Sequence, residues 1–155
     1  RWRATAGVRV DPLGGPPRGA GGGAAPDPVC SFDACPASAL PASLRRTLAK
    51  MGFAAPTAVQ SQAAPVVLCG LDAVAIAPTG SGKTLAFLWP LCVHAAARAA
   101  DGKGGAGPSG LVLCPTRELA AQTTAAARKL LKGTFGGTAV CVTGGTAGRY
   151  EMTKE

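Results

Sequence analysis

The chain has 155 residues, which leaves room for one domain with a hydrophobic core but not for two full domains. Hydrophobic residues make up 47% of the sequence and charged residues only 15%, which excludes a wholly disordered protein, although alanine supplies much of the apolar content and buries little area. The formal net charge of +8 favours an acidic polymer such as nucleic acid as partner; the alternative is that the basic balance only aids solubility.

The cysteines and the length of the longest apolar run bear on where in the cell the protein works. The six cysteines include no C-x-x-C pair, and Cys114 and Cys141 lie in apolar runs, so we expect buried free thiols in a reducing environment. The longest apolar run, residues 85–97, is shorter than the roughly 20 residues that a bilayer span needs. We therefore expect no membrane partner and an intracellular location, in the nucleus or the cytoplasm, with an organelle left open.

The N-terminal part differs in composition from the rest. Residues 11–28 are rich in glycine and proline and show no periodicity, so residues 1–29 are predicted to be a flexible segment. Residues 30–155 are assigned to one domain.

Two helices are predicted at the start of this domain. Leu44, Leu48 and Met51 have the i, i+4, i+7 spacing of a short amphipathic helix. A second helix opens at Thr57 and is expected to be interrupted or to end around Pro65, which cannot donate a backbone hydrogen bond.

Three apolar runs alternate with helices in the remainder of the chain. Residues 72–78, 111–115 and 138–143 are bounded by turn residues and are predicted to be buried strands. A helix that runs toward Ala100, with a kink at Pro90, follows the first run, and an amphipathic helix follows the second. This alternation predicts an α/β fold with a parallel sheet flanked by helices.

The segment "APTGSGKT", residues 77–84, lies between the first strand and its helix, as a phosphate loop must. Gly80 and Gly82 let successive N–H groups point at one anion at the positive end of the helix. Lys83 would neutralise the β and γ phosphates of ATP, and the Thr84 hydroxyl would bind Mg²⁺. The alternative is a glycine-rich turn with an incidental lysine, but the agreement of strand, loop and helix favours nucleotide binding.

Segments on both sides of this loop make the pattern specific. They are "GFAAPTAVQ" at 52–60, "PTRELAAQ" at 115–122 and "TGG" at 143–145. Together with the loop, and in this order, they resemble the Q motif, motif I, motif Ia and GG motif of the first domain of a DEAD-box ATP-dependent RNA helicase. The resemblance covers the chain from about residue 30 onward, with "AVQ" where "PIQ" is commoner. It implies an incomplete RecA-like P-loop NTPase domain.

The resemblance implies that Gln60 reads the adenine edge, which suits an amide that donates and accepts in one plane, and that Phe53 packs against the base. Locally, Thr57 and Gln60 also form a T-x-x-Q capping box, so Gln60 can instead close a helix terminus, and both roles could hold in different states. Phe32 is either near the adenine or a core aromatic. The implied cofactor-binding residues are Phe53, Thr57, Gln60, Pro78, Thr79, Gly80, Ser81, Gly82, Lys83 and Thr84; only Lys83 and Thr84 would take part in catalysis.

The "PTREL" segment has a structural and a functional explanation. Thr116 can cap the following helix, and Glu118 in its first turn favours the helix dipole. The resemblance implies that this helix terminus faces RNA through sugar and phosphate contacts, which would ignore base sequence. The implied RNA-binding residues are Pro115, Thr116, Arg117, Glu118, Gly144 and Gly145, and the partner is single-stranded or duplex RNA.

Hydrolysis of ATP needs an acidic residue at the end of a later strand. The acids after Thr84 are Asp101, Glu118, Glu151 and Glu155. None has that position, and the Asp-Glu-Ala-Asp tetrad and second domain of the family are absent. We therefore expect a fragment of an RNA-dependent ATPase and helicase that is inactive alone; the alternative is a truncated, non-catalytic nucleotide- or RNA-binding module.

Overall fold

The structure is a computed structural model that describes residues 2–11, 25–101, 107–132 and 137–144. The chain divides into two compact units, Arg1–His94 and Ala95–Glu155. The helices in the described ranges are α1 (Trp2–Thr5), α2 (Ala42–Lys50), α3 (Ala58–Leu68), α4 (Lys83–Ala100) and α5 (Arg117–Leu131). None of them is long and apolar enough to span a membrane.

The predicted helices α2, α4 and α5 are confirmed, and α3 opens after Thr57 as expected. The predicted break near Pro65 is wrong, because α3 continues to Leu68. A proline at this position leaves the carbonyl four residues earlier without its helical donor. That carbonyl belongs to Ser61, and it accepts instead from the backbone N–H of Val29 at 2.9 Å. The segment before the domain thus satisfies the group that Pro65 leaves unpaired.

The core of the first unit forms between α2, α4 and the loop that precedes α2. Leu44 and Leu48 are fully buried, as the helical spacing predicts. Trp89 of α4 is also buried and donates from its indole Nε1 to the carbonyl of Ala39 at 2.8 Å. Phe32 is buried and meets Trp89 edge to face, with ring centroids 5.7 Å apart. Because an edge-to-face pair adds to the stability gained from burial, this pair fixes the loop onto α4.

The predicted sheet is not confirmed, since the described residues contain no strand. The predicted burial of the three apolar runs is wrong for their largest side chains: Ile76 is 96% exposed, Leu113 85% and Val142 71%. Apolar, β-branched composition gives a segment the capacity to pair, but a parallel strand also requires neighbours that complete its hydrogen bonds and cover both faces. The described parts of the chain supply no such neighbours to these runs.

The second unit is organised around α5. Thr123, Ala127 and Leu130 form its buried side. The thiol of Cys114 lies 3.8 Å from the Thr123 hydroxyl, and Arg128 Nε donates to the carbonyl of Ala139 at 2.8 Å. Both apolar runs of this unit thus make a polar contact with α5.

The N-terminal segment is described in two pieces. Residues 2–11 include the short helix α1. In the second piece, Ala25 and Pro26 accept from Arg3, and Val29 donates to Ser61 of α3. Residues 12–24 lie outside the described ranges, so the flexibility predicted for that stretch stays a prediction.

Candidate functional site

The predicted phosphate loop is a tight turn that leads directly into α4. The N–H of Ser81 donates to the carbonyl of Pro78 at 3.3 Å, which closes the turn. Gly80 and Gly82 have φ of +78° and +91°, a region that residues with a Cβ rarely adopt. The glycines at these two positions therefore allow the backbone to reverse within four residues, and α4 begins at Lys83 immediately after them.

Lys83 folds back over this loop. Its Nζ donates to the carbonyl of Ala77 at 2.6 Å and to that of Pro78 at 2.8 Å. The ammonium thus lies inside the turn, at the N-terminal end of an 18-residue helix whose dipole adds positive potential. A bound phosphate would compete with these two carbonyls for the ammonium.

Gln60 joins this loop to the start of α3. It is fully buried; its Oε1 accepts from the backbone N–H of Thr57 at 3.0 Å, and its Nε2 donates to the carbonyl of Gly82 at 3.0 Å. The Gly82 carbonyl also accepts from Ala86 within the first turn of α4, at 3.2 Å. Since a carbonyl oxygen has two lone pairs, both bonds can coexist. One buried amide therefore connects the N-termini of two helices.

The remaining residues of the predicted nucleotide site line the same turn or lie near α2. Thr57, Pro78, Thr79 and Gly80 are exposed, whereas Ser81, Gly82, Lys83 and Thr84 are half-buried. Phe53 follows α2, is half-buried, and donates from its N–H to the carbonyl of Leu48 at 3.0 Å. Phe32, in contrast, lies in the core against Trp89.

The loop fits an anionic ligand on two observations from its own atoms. The Ser81 hydroxyl is buried and has no hydrogen-bond partner among the described residues. A buried hydroxyl without a partner costs free energy, which a ligand oxygen could recover. A Cβ added at Gly80 would meet no atom within 4 Å, so the turn has open space on that side. The described residues contain no cluster of three His, Cys, Asp or Glu side chains that could hold a metal ion by itself.

The predicted RNA-facing residues lie at the N-terminus of α5, in the second unit. Pro115, Thr116, Arg117 and Glu118 are all exposed. The Thr116 hydroxyl accepts from the N–H of Leu119 at 3.2 Å, so Thr116 is the N-cap that the sequence predicts. Glu118 accepts from Gln122 at 3.2 Å and lies in the first turn. Gly144 is exposed, and Gly145 lies outside the described residues.

The six cysteines are free thiols in different environments. Cys114 and Cys141 were predicted to be buried but are half-buried, because their runs form no strand. Burial raises the pKa of the Cys92 thiol on α4 to about 11. Burial also raises the pKa of Cys35, although the neighbouring Arg45 guanidinium partly opposes the change.

The sequence model of the DEAD/DEAH box helicase family matches residues 57–154, more than half of the chain. The chain belongs to this family. The match begins at Thr57 and includes the phosphate loop as well as the N-terminus of α5. The match thus confirms the family that these segments resemble. It covers the phosphate loop, motif Ia and the Q motif from Thr57 onward, but not the part of the Q motif before Thr57.

Similar proteins are ATP-dependent RNA helicases that are much longer than this chain. DEAD-box ATP-dependent RNA helicase 57 of Oryza sativa subsp. japonica is 50% identical over 86 residues, which are 56% of this chain and 15% of that protein. Pre-mRNA-processing ATP-dependent RNA helicase PRP5 of Mycosarcoma maydis is 40% identical over 120 residues, 77% of this chain and 10% of that protein. The chain thus spans less than a fifth of the length of the curated relatives it matches.

A solved helicase structure shares the fold. The crystal structure of the RNA helicase Prp28 from Chaetomium thermophilum bound to ADP superposes with a TM-score of 0.71 at 36% identity, and the similarity covers 83% of this chain and 30% of that chain. This places the DEAD/DEAH box chain in the fold class of RecA-like helicase domains, although its described residues form no sheet.

Two features of the site were not predicted from the sequence. The carbonyl of Gly82 as a partner of Gln60 has no sequence signal, because it depends on how α3 and α4 are placed. The contacts of Arg3 with Gln62 at 2.6 Å and with the carbonyl of Pro26 at 2.8 Å join a residue of the segment predicted to be flexible to α3 and to a distant part of the same segment. Neither contact belongs to a pattern of spacing along the chain.

Proposed function

We propose that this chain is the nucleotide-binding part of an ATP-dependent RNA helicase of the DEAD-box type. In this proposal it binds ATP with Mg²⁺ and contacts RNA without regard to base sequence, in a protein that couples ATP hydrolysis to unwinding. The observation that carries the proposal is the turn at residues 77–84, where two glycines of positive φ bring the Lys83 ammonium inside a loop at the N-terminus of α4. The names of the relatives support the same activity.

Each loop residue has a distinct task in nucleotide binding. The backbone N–H groups around Gly80 and Gly82 would hold phosphate oxygens, and Lys83 would leave the Ala77 and Pro78 carbonyls to pair with them. The Ser81 hydroxyl would gain a partner. Thr84 would hold the Mg²⁺ that accompanies ATP and stabilises charge on its phosphates.

Adenine recognition is assigned to Gln60 and Phe53. The bonds from Gln60 to Thr57 and Gly82 use one donor and one lone pair of an amide that has two of each. The Gln60 amide therefore has one donor and one lone pair left for the base edge, which the base would reach only when the residues that cover this buried side chain move aside. Binding of adenine would thereby be coupled to the conformation of the phosphate loop through the bond from Gln60 to Gly82.

RNA binding is assigned to the exposed N-terminus of α5. Thr116, Arg117 and Glu118 stand in the first turn, where free backbone N–H groups and the helix dipole favour a phosphate oxygen. Pro115, Gly144 and Gly145 complete the proposed contact. The net charge of +8 supports a polyanionic partner, and a helicase acting on RNA would work inside the cell.

Nucleotide binding can be tested on the chain itself. Isothermal titration with ADP and Mg²⁺ should give binding that Lys83→Ala weakens by about tenfold or more, the equivalent of one charged hydrogen bond. Lys50→Ala is the matched control, since Lys50 is an exposed lysine at the end of α2 and is not one of the residues assigned to the site. Equal affinities for the two variants would refute the assignment of the loop.

The helicase activity requires a longer protein. The reading frame should be extended past Glu155 and the product assayed for ATP turnover with and without single-stranded RNA. Turnover that RNA stimulates and Lys83→Ala abolishes is the expected result. Turnover that ignores RNA would contradict the proposal.

A non-catalytic binding module is the second candidate, and the positions of the acids favour it. Among the described residues after Thr84, the acids are Asp101, which follows α4, and Glu118, which is in the first turn of α5, and neither ends an extended run as a catalytic acid should. A stop codon directly after Glu155 together with ADP binding would support the module, whereas an in-frame acidic tetrad would support the helicase.

A further inference from the structure

Arg3 is the centre of a cluster that ties the N-terminal segment to α3. Its Nε donates to the side-chain Oε1 of Gln62 at 2.6 Å. Its Nη2 donates to the carbonyl of Pro26 at 2.8 Å and to that of Ala25 at 3.2 Å. The planar guanidinium can make such contacts at once because its donors have a fixed fork geometry. Bonds of this kind, with a charged donor, are stronger than neutral ones.

Gln62 and Ser61 of α3 bind the same N-terminal residues directly. Gln62 is buried, and its Nε2 donates to the Pro26 carbonyl at 3.1 Å. The Ser61 carbonyl, released by Pro65, accepts from Val29 at 2.9 Å. Residues 25–29 are therefore bound through their own backbone atoms by both Arg3 and α3.

The same helix carries Gln60, two residues before Gln62. The Gln60 amide donates to the carbonyl of Gly82 in the phosphate loop. The first two turns of α3 therefore contact the loop through Gln60 and the N-terminal segment through Ser61 and Gln62. A rigid helix transmits a displacement at Gln62 to Gln60, because the backbone bonds between them must move together. In particular, Ser61 donates to the Thr57 carbonyl at 2.8 Å and its own carbonyl holds Val29.

We propose that Arg3 is a positioning residue for the nucleotide site, acting through Gln62 and α3 to keep Gln60 against the carbonyl of Gly82. The proposal rests on the proposed nucleotide-binding function and adds a residue that lies outside the stretch matched by the family model, residues 57–154. Removing the Arg3 guanidinium loosens α3 and frees the Gln60 amide, which weakens the preorganisation of the loop.

Arg9 provides a matched control within the same segment. Its Nε donates to Asp11 at 3.0 Å, and its side chain is 86% exposed. Arg9→Ala removes the same charge from the same N-terminal segment without breaking a contact to α3. A difference between the Arg3 and Arg9 variants therefore cannot come from net charge.

Amide hydrogen exchange of the chain without nucleotide tests the proposal directly. With Arg3→Ala we expect exchange at Thr57 and Ala86 to rise by about fivefold or more, the lower end of typical coupling between sites. These amides donate to Gln60 and to Gly82, so they report the connection from α3 to the loop. Exchange at Met51, which donates within α2, should stay unchanged.

Two results would overturn the proposal. Faster exchange at Val29 alone would mean that Arg3 only fixes the N-terminal segment. An equal rise at Thr57, Ala86 and Met51 would mean that Arg3 only stabilises the unit as a whole. If Arg3→Ala fails to fold, Arg3→Lys decides by the same pattern, since it keeps the charge but loses the fork.

Titration of the same variants with ADP separates this proposal from the function it rests on. The expected result is an affinity about fivefold lower for Arg3→Ala than for Arg9→Ala. If the unmodified chain binds no ADP, the proposed function fails, while the exchange pattern still decides whether Arg3 positions Gln60. If the chain binds ADP and the two variants bind it equally well, the positioning role is refuted.

Discussion

Replacing Gly82 by alanine is the sharpest test of the link between Gln60 and the phosphate loop. Gly82 has a φ of +91°, and a Cβ at this position would collide with Nε2 of Gln60 and come within 3.1 Å of the Thr57 hydroxyl oxygen. Gln60 is fully buried, so its amide has little room to move aside. The substitution therefore both strains the backbone and breaks the bond between Gln60 and the Gly82 carbonyl.

The two effects can be separated in size. A residue with a Cβ in the left-handed region costs about 1–2 kcal/mol. Loss of the Gln60 bond, which leaves a buried amide donor unpaired, adds about 1–3 kcal/mol. Gly80→Ala is the matched control, because Gly80 has a φ of +78° but a Cβ there meets no atom within 4 Å. We therefore expect Gly82→Ala to lower the free energy of unfolding by about 1–3 kcal/mol more than Gly80→Ala does.

Urea denaturation followed by tryptophan fluorescence measures this difference, since Trp89 is buried in the core of the same unit. The comparison should be repeated in a Gln60→Ala background, where the collision partner is gone. There the extra cost of Gly82→Ala over Gly80→Ala should fall to the small part that the close approach to the Thr57 hydroxyl leaves. Equal costs for the two glycine variants in the unmodified chain would refute the contact between Gln60 and Gly82 as a stabilising feature.

Further predictions concern the core, the second unit and the thiols. Trp89→Phe should lower the free energy of unfolding by about 2–4 kcal/mol, measured by urea denaturation with circular dichroism, because the smaller ring leaves a cavity in the core and the bond to Ala39 is lost. Thr116→Ala should cost about 1 kcal/mol in the same assay through loss of the α5 N-cap, and no loss would contradict the cap. Alkylation at pH 8 followed by peptide mass mapping should modify exposed Cys30 rapidly and Cys92 slowly. Since burial raises the Cys92 pKa from 9.0 to about 11, the stability gained from keeping this thiol neutral is complete below pH 9.0 and is lost as pH rises through about 11. Rapid labelling of Cys92 in the folded chain would contradict its burial.

The helices could be predicted from the sequence because their signals are local. The spacing of Leu44 and Leu48 and the cap at Thr116 each act within one or two turns of the residues that form them. The phosphate loop is also local, since glycine at positions 80 and 82 permits backbone angles that the following helix requires. For such features, the residues that determine the structure are neighbours in the sequence.

The apolar runs and the end of α3 could not be predicted in the same way. Whether Ile76 is buried depends on strands contributed by other segments, about which its own pattern contains no information. The effect of Pro65 depends on Val29, which supplies a donor to the carbonyl that the proline leaves unpaired. A helix-breaking residue is thus tolerated wherever a distant segment satisfies the backbone group it exposes.

Gln60 shows why two interpretations of one residue need not compete. Its spacing from Thr57 predicts a cap, and its place in the Q motif predicts adenine recognition; the Thr57 bond meets the first expectation. The bond to Gly82 adds a third role, because it makes the position of the amide depend on the conformation of the phosphate loop. If the loop binds phosphate as proposed, a movement of Gly82 would displace the Gln60 amide, and by the reciprocity of coupled sites a base bound at Gln60 would change the affinity of the loop for phosphate by the same factor.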